Sequence, residues 1–151
     1  MRLEDEIKQP VFQSAQQRAF LNVLFTAGWL SGRQAAVFRP FGLTLPQFNV
    51  LRILRGQHPC PATVALLTER MLDKSSNASR IVDKLEQKHL VTRRECPSNR
   101  RAVDIRITET GLKLLSRIDA ETHGDPGQRA LAHLTEAELI QLNELLDKIR
   151  A

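Results

Sequence analysis

Apolar residues recur at helical spacing near the start of the chain. Residues 11–38 contain no proline. The apolar residues that lie at helical spacing along this stretch are Phe12, Ala15, Ala19, Val23, Ala27 and Leu30. This pattern predicts one long helix over 11–38, with a bend near Gly28 or Gly32. We expect Pro40 and Gly42 to end it, because proline breaks a helix and glycine favours its end.

Two shorter helices are predicted next. Thr44 and Gln47 have the spacing of a capping box, with Pro46 in the first turn, so a helix begins there and closes at Gly56. Residues 58–61 (HPCP) predict an extended connector, because a residue that precedes proline avoids the helical region. Residues 62–71 then predict a short helix, and residues 72–74 a tight turn.

A further helix is predicted over residues 75–88. Its core-facing stripe consists of Ala78, Ile81, Val82 and Leu85. The opposite face carries Ser76, Arg80, Asp83 and Gln87, with Asn77 and Lys84 beside it. The exposed first turns of this helix are therefore expected to be small, polar and basic.

The rest of the chain predicts a β-hairpin and then more helices. Residues 91–94 and 103–107 are two short β-like runs, and in the second run apolar and polar residues alternate as in a half-buried strand. Thr108 is expected to cap the next helix. Thr135 and Glu138 form a capping box before the last helix. The fold class is therefore mainly α with a small β-hairpin, and 151 residues fit one domain.

The net charge of +5 lies entirely in one segment. Residues 70–106 hold ten Lys and Arg against five Asp and Glu, and the rest of the chain is neutral. Five of these cations surround the hairpin: Arg93, Arg94, Arg100, Arg101 and Arg106. Concentrated positive charge is typical of a surface that binds a polyanion, although a solvated basic face has the same composition.

The order of helix, tight turn, polar helix and basic hairpin predicts a winged helix-turn-helix that binds double-stranded DNA. The second helix of such a motif enters the major groove with its N-terminal residues, and an arginine at the hairpin tip can enter the minor groove. The candidate DNA-binding residues are Ser75, Ser76, Asn77, Ser79, Arg80, Lys84, Arg94, Asn99, Arg100 and Arg101. Serine and asparagine also favour any helix start, so the first turn alone does not decide the function.

Three stretches resemble the MarR (multiple antibiotic resistance regulator) family of transcription factors. Residues 43–54 (LTLPQFNVLRIL) resemble the family's L-T-x-x-Q-x-x-V-L-x-x-L signature, and residues 79–93 resemble its recognition helix and first wing strand. Residues 96–111 resemble its D-P-x-D-R-R wing followed by L-T-x-x-G. The resemblance implies a winged helix-turn-helix at 43–107 within a single domain, 1–151, and dimerisation helices at 11–40 and 108–151.

Three positions depart from the family pattern. Cys96 and Asn99 stand where the family usually has two aspartates, the second of which helps to orient the wing arginine. We therefore expect Asn99 to hydrogen-bond that arginine without pairing its charge. His89 replaces the usual glycine after the recognition helix, at a position expected to be left-handed.

The resemblance also implies a homodimer, a pseudo-palindromic operator and a role as a repressor. The family often binds small aromatic or phenolic acids between its dimer helices and its DNA-binding lobe, so Phe25, Trp29 and Phe48 are candidate ligand-binding residues. Aromatic residues at helical spacing are equally typical of an ordinary core. No cofactor is implied.

Other regulatory readings stay open. A metal-responsive regulator would gather Glu121, His123 and His133, whose spacing matches no standard ligand motif. A redox-responsive one would use a cysteine, and Cys96 lies beside arginines that favour a thiolate. A winged helix used only for protein contacts is the third alternative.

Catalysis, membrane insertion and secretion are not indicated. The sequence has no G-x-S-x-G, phosphate-binding glycine loop or H-E-x-x-H, and its four histidines are scattered. The most apolar run, 19–30, is too short to span a bilayer. The N-terminus has no apolar signal core and only two cysteines are present, so we expect a cytoplasmic protein with reduced thiols.

Overall fold

The computed structural model describes residues 1–96, 99–123 and 126–151, apart from the side chains of residues 95, 96, 99–102 and 126. Its helices are α1 (Leu3–Glu6), α2 (Ala15–Phe38), a 3-10 helix (Arg39–Phe41), α3 (Leu45–Gln57), α4 (Val64–Arg70), α5 (Ala78–Gln87), α6 (Glu109–Thr122), α7 (Pro126–Ala130) and α8 (Glu136–Ile149). The strands are β1 (Val91–Cys96) and β2 (Asn99–Ile107). The predicted fold class, mainly helical with one hairpin, is confirmed.

Polar side chains start three helices, α3, α6 and α8, where the sequence predicts. The Thr44 hydroxyl accepts a hydrogen bond from the Gln47 amide, while the Gln47 side chain accepts one from the Thr44 amide. The same reciprocal box joins Thr135 and Glu138 at α8. Thr108 caps α6 as expected. Each cap satisfies backbone N–H groups that the first helical turn leaves without a partner.

The long N-terminal helix is shorter than predicted. It begins at Ala15 instead of residue 11, because the extended Ser14 accepts the Gln17 amide as an N-cap. The sequence also gave no sign of α1. The predicted end is confirmed: Pro40 lies in the 3-10 helix that follows, and Gly42 is left-handed with φ 68°.

Three boundaries in the DNA-binding lobe differ from the prediction. Helix α3 continues past Gly56 to Gln57, and a turn with a cis His58–Pro59 bond replaces the predicted extended connector. Helix α4 starts at Val64 instead of residue 62, because Thr63 caps it. Helix α5 starts at Ala78 instead of residue 75, because Asn77 is its cap.

The hairpin is antiparallel, with Val91 opposite Ile107 and Arg93 opposite Ile105. The predicted alternation is confirmed, since Ile105 and Ile107 are buried while Arg106 is exposed. Ile105 also exchanges two backbone hydrogen bonds with Ala62, at 2.8 and 2.9 Å. Strand β2 therefore has a backbone neighbour on each edge, β1 on one side and Ala62 on the other. His89 is left-handed, with φ 58°, as the resemblance implied.

The buried core lies between α3, α4, α5, the hairpin base and α6, with Phe38 from the end of α2. Its largest fully buried side chains are Phe38, Leu51, Leu54, Leu67, Met71, Leu85, Ile105, Leu115, Ile118, Val50, Val82 and Val91. Phe38, the last residue of α2, stacks on Phe48 with ring centroids 3.9 Å apart. The α2 helix is thereby joined to the DNA-binding lobe at its C-terminal end.

The two terminal helices contribute little to this core. In α2 only Phe38 is buried, and α8 has no buried residue. Large apolar side chains on both helices remain more than half exposed: Phe20, Leu24, Ile140, Leu145 and Ile149. A 14-residue helix gains most of its stability from packing one apolar face, which α8 does not do within this chain.

Gly111 allows α6 to lie closely against the hairpin base. A Cβ at this position would lie 2.5 Å from the Leu90 carbonyl oxygen and 2.7 Å from a side-chain carbon of Ile107. The carbonyl belongs to the backbone and already accepts a hydrogen bond from the Thr108 amide. The glycine of the L-T-x-x-G motif is therefore required by packing.

We expect Gly111→Ala to lower the free energy of unfolding by about 1–3 kcal/mol, because the added methyl group overpacks a backbone contact. Gly56→Ala is the matched control, since a Cβ there meets nothing within 4 Å. It should stabilise α3 by about 0.4–1 kcal/mol. Urea unfolding of both variants measures the difference, and equal stability of the two would contradict this account of Gly111.

Candidate nucleic-acid interface

Helix α5 has one buried and one exposed face. Ala78, Val82 and Leu85 are buried, with at most 3% of the surface of each residue exposed. Arg80, Lys84 and Gln87 are exposed on the far side. Because the buried stripe fixes the rotation of the helix, it also fixes these three side chains toward solvent.

Two cations of this surface have no partner among the residues that the structure describes. The guanidinium groups of Arg80 on α5 and Arg94 on β1 form no ion pair or side-chain hydrogen bond among the described residues. The Lys84 ammonium lies 3.5 Å from the Gln87 side-chain oxygen, at the limit of a hydrogen bond. These three predicted residues are therefore available to a phosphate or a base.

Other cations of the basic segment are used inside the protein. The Lys88 Nζ donates to the Gly42 carbonyl at 2.5 Å and to the Gln47 side chain at 2.9 Å. Arg106 donates to the Pro59 carbonyl, and Lys74 to carbonyl groups at the end of α4. These contacts hold the helices and the hairpin base together, so the charge surplus in the sequence overstates the positive charge free to bind DNA.

The prediction placed Ser75 and Ser76 in the first turn of α5. They lie instead in the loop before this helix, where both bind the Asp73 side chain. The Ser75 hydroxyl donates to one Asp73 carboxylate oxygen at 2.6 Å, and the Ser76 hydroxyl donates to the other at 2.5 Å. The Ser75 amide also donates to this carboxylate, at 2.9 Å. These hydrogen bonds lower the pKa of Asp73, and the bond from the Ser75 hydroxyl has the largest effect.

The next two predicted residues have different roles in the helix. Asn77 is the N-cap, and its side-chain oxygen accepts the Arg80 amide at 3.0 Å. Its side-chain NH₂ group forms no hydrogen bond among the described residues. Ser79 is half-buried and faces β1, where its hydroxyl oxygen accepts a hydrogen bond from Arg93 at 3.3 Å.

Arg93 connects the hairpin to α5. Its guanidinium forms an ion pair with Asp83, and its backbone amide donates to the Glu86 carboxylate at 3.3 Å. Sequence reasoning identified neither this pair nor the role of Asp73. The D-x-S-S spacing at 73–76 is a local signal for the Asp73 loop, whereas nothing in the sequence pairs a helix residue with a strand residue ten positions away.

The predicted wing tip lies outside the described side chains. This applies to Asn99, Arg100, Arg101 and Cys96. Their strands are described, and in the ladder Cys96 is opposite Asn99 after a register shift. The other thiol, Cys60, is free and exposed.

The three predicted ligand-binding aromatic residues do not share one cavity. Phe25 and Trp29 line a cavity of about 430 Å³ together with Leu3 and His133. Phe48 is buried against Phe38 and borders a separate cavity of about 590 Å³ between α2, α3 and the turn after α4. Within one chain, Phe48 therefore borders a different cavity from Phe25 and Trp29, and their role in ligand binding stays a prediction.

The metal-responsive alternative gains no geometric support from the described part of the chain. This part contains no group of three His, Cys, Asp or Glu side chains able to hold a metal ion, so Glu121, His123 and His133 are not brought together. None of its helices combines the length and the apolarity that a bilayer span requires.

Known proteins share the motifs of this chain. The model of the MarR family matches residues 43–103. The HTH-type transcriptional regulator MhqR of Bacillus subtilis (strain 168) is 32% identical over 110 residues, which cover 72% of this chain and 72% of that protein. The HTH-type transcriptional repressor IacR of Pseudomonas putida is 27% identical over 113 residues, covering 75% of this chain and 66% of that protein.

Solved structures share the fold. A MarR transcription factor from Planctomyces limnophilus superimposes with a TM-score of 0.67 and 31% identity, over 91% of this chain and 98% of that one. AbsC, a MarR family transcriptional regulator from Streptomyces coelicolor, has a TM-score of 0.79 at 24% identity, over 93% and 95% of the two chains. These relatives are regulators, not enzymes, and the chain belongs to the MarR family of transcriptional regulators.

Proposed function

We propose that this protein is a homodimeric repressor of transcription that reads a pseudo-palindromic DNA operator with helix α5. The observation that carries the proposal is the exposed Arg80, unpaired among the described residues, beside Lys84 on the face of α5 opposite its buried stripe. A helix of this width fits the major groove, and its N-terminal side chains reach base edges there. The likeness to IacR, which is named as a repressor, supports the direction of regulation.

The exposed apolar faces of α2 and α8 support the dimer. Phe20 and Leu24 on α2, and Leu145 and Ile149 on α8, leave apolar surface that a second copy can cover. Burying such side chains stabilises an interface by about 25 cal/mol per Å² of apolar area. A two-fold dimer would place two α5 helices on half-sites about 34 Å apart, one helical turn of DNA.

The hairpin is proposed to act as a wing. Its base is fixed to the core through Ile105, and Arg94 projects outward from β1. We assign Arg100 or Arg101 to the flanking minor groove, where a narrow groove attracts a guanidinium. Asn99 would hydrogen-bond that arginine.

We further propose that a small aromatic acid releases the DNA by binding in the cavity beside Phe48. This cavity is also lined by Gln34 of α2, by Arg70, and by Leu72 and Asp73 of the turn that leads to α5. An acid bound there would contact a dimer helix and the recognition-helix turn together. The two arginines on its wall, Arg52 and Arg70, match the charge of a carboxylate.

The wing and the recognition helix should respond differently to substitution. Arg101→Ala should weaken binding to every DNA sequence and make the salt dependence shallower by about one unit of slope, because one phosphate-equivalent charge is lost. Arg80→Ala should instead reduce the preference for operator over scrambled DNA by about 1–3 kcal/mol. Fluorescence anisotropy across a salt series measures both quantities. Unchanged affinity and slope in Arg101→Ala would mean that the hairpin is not a DNA-binding wing.

Leu145→Glu should dissociate the dimer, because it places a charge in the proposed apolar interface. Light scattering at micromolar concentration should show a dimer for the wild type and a monomer for this variant. Asn143→Glu adds the same charge on the other side of α8 and should stay dimeric. A monomeric wild type would overturn the proposed assembly.

The chain has one tryptophan, Trp29, which lines the other cavity. A hydroxybenzoate that releases DNA from the Phe48 cavity should therefore leave the tryptophan fluorescence largely unchanged. Titration of the acid, followed by fluorescence and DNA anisotropy in parallel, tests this. Strong quenching that follows DNA release would assign the acid to the Phe25–Trp29 cavity instead.

A further inference from the structure

We propose that Arg93, held by Asp83, is a positioning residue that makes the Ser79 hydroxyl a hydrogen-bond donor to one base pair of the DNA. This inference rests on the proposed function, in which α5 reads the major groove. It assigns sequence discrimination to a partly exposed ion pair that does not itself touch the DNA.

The Arg93 side chain is directed at α5 instead of at solvent. Only 26% of it is exposed, and its Nε is buried without a hydrogen-bond partner among the described residues. One terminal nitrogen pairs with Asp83 and the other donates to the Ser79 hydroxyl oxygen at 3.3 Å. The planar guanidinium therefore fixes two α5 side chains, one turn apart, in a single geometry.

The bond from Arg93 determines what Ser79 can offer to a ligand. A hydroxyl has one donor proton and two acceptor lone pairs, and arginine can only donate. Since Arg93 occupies a lone pair of Ser79, the proton has to point elsewhere, and it finds no acceptor among the described residues. Ser79 is the second residue of α5, at the end of the helix that meets base edges.

The neighbouring serines show the opposite arrangement. The hydroxyl protons of Ser75 and Ser76 both point to the Asp73 carboxylate. Of the three serines before and within the first turn of α5, only Ser79 keeps its donor for the DNA. We infer that its partner is an acceptor of the major groove, such as O6 or N7 of guanine or O4 of thymine.

The ion pair with Asp83 explains why Arg93 is proposed to position Ser79 and not to bind DNA through its own charge. The ion pair neutralises the guanidinium and holds it in the seam between α5 and β1, away from phosphates. Arg94, the next residue on the same strand, is exposed and unpaired within the described residues. The two adjacent arginines should therefore affect DNA binding in different ways.

The experiment selects binding sites for the full-length wild type from a double-stranded DNA library with a random central segment. The same library is then bound by Ser79→Ala, Arg93→Gln, the double variant and Arg94→Ala, and the bound DNA is sequenced. Ser79→Thr keeps the hydroxyl and is the matched control. Salt dependence of binding to the selected site is measured for each protein.

We expect Ser79→Ala and Arg93→Gln to lose preference at the same base pair, by about 3- to 10-fold, the effect of one net hydrogen bond. The double variant should lose no more than either single one, because both remove the same contact. Ser79→Thr should keep the preference. Arg93→Gln should leave the salt slope unchanged, whereas Arg94→Ala should lower affinity uniformly and make the slope shallower by about one unit.

If the wild type selects a DNA sequence, the proposed function stands, and any one of three outcomes would overturn only the inference about Ser79 and Arg93. These are an unchanged preference in Ser79→Ala, additive losses in the double variant, or a shallower salt slope in Arg93→Gln. If the wild type selects no sequence, the proposed function fails together with the inference. Should Arg93→Gln fail to fold by circular dichroism, Asp83→Asn replaces it and is expected to lose preference at the same base pair.

Discussion

Burial of the apolar stripe of α5 is the constraint on which the interface depends. Val82 and Leu85 are fully buried against α3 and the hairpin base, and each such side chain contributes about 1.5–3 kcal/mol relative to an exposed one. A rotation of the helix by one residue would expose this stripe and bury Arg80 or Asp83, a charged group without a suitable partner. The core therefore sets which α5 side chains face away from the protein, and no feature of the polar face has to specify the orientation.

The same packing explains why the basic segment has two kinds of cation. A helix-turn-helix of this size has a small core, and its elements meet along seams where carbonyl and carboxylate groups need donors. Lys88, Arg93 and Arg106 satisfy such groups between elements. Arg80 and Arg94 project from the same elements but reach no acceptor in the described chain, so they retain the free charge that a phosphate backbone attracts. Net charge from the sequence counts both kinds equally.

Local patterns in the sequence predicted the elements, but not the contacts between them. The boxes at Thr44 and Thr135, the alternation up to Ile107 and the left-handed His89 depend on a few neighbouring residues, and each is confirmed. The start of α5 was misplaced because Ser75 and Ser76 fit a helical first turn but bind Asp73 instead, a local competition typical of serine. The pairing of Arg93 with Asp83 and the separation of Phe48 from Trp29 depend on the packing of distant elements, which periodicity does not encode.

The ion pair of Arg93 and Asp83 lies between the two parts that are proposed to touch DNA. A direct arginine contact gives affinity to any sequence, because every phosphate carries charge. A neutralised arginine that orients one hydroxyl adds little general affinity, but a wrong base then leaves that hydroxyl without an acceptor. Since Arg93 belongs to β1 and Ser79 to α5, a shift of the hairpin relative to the helix would also disturb base reading. Under the proposed function, an arginine placed in this seam would couple wing position to sequence preference, while Arg80, Arg94 and Lys84 would supply the charge.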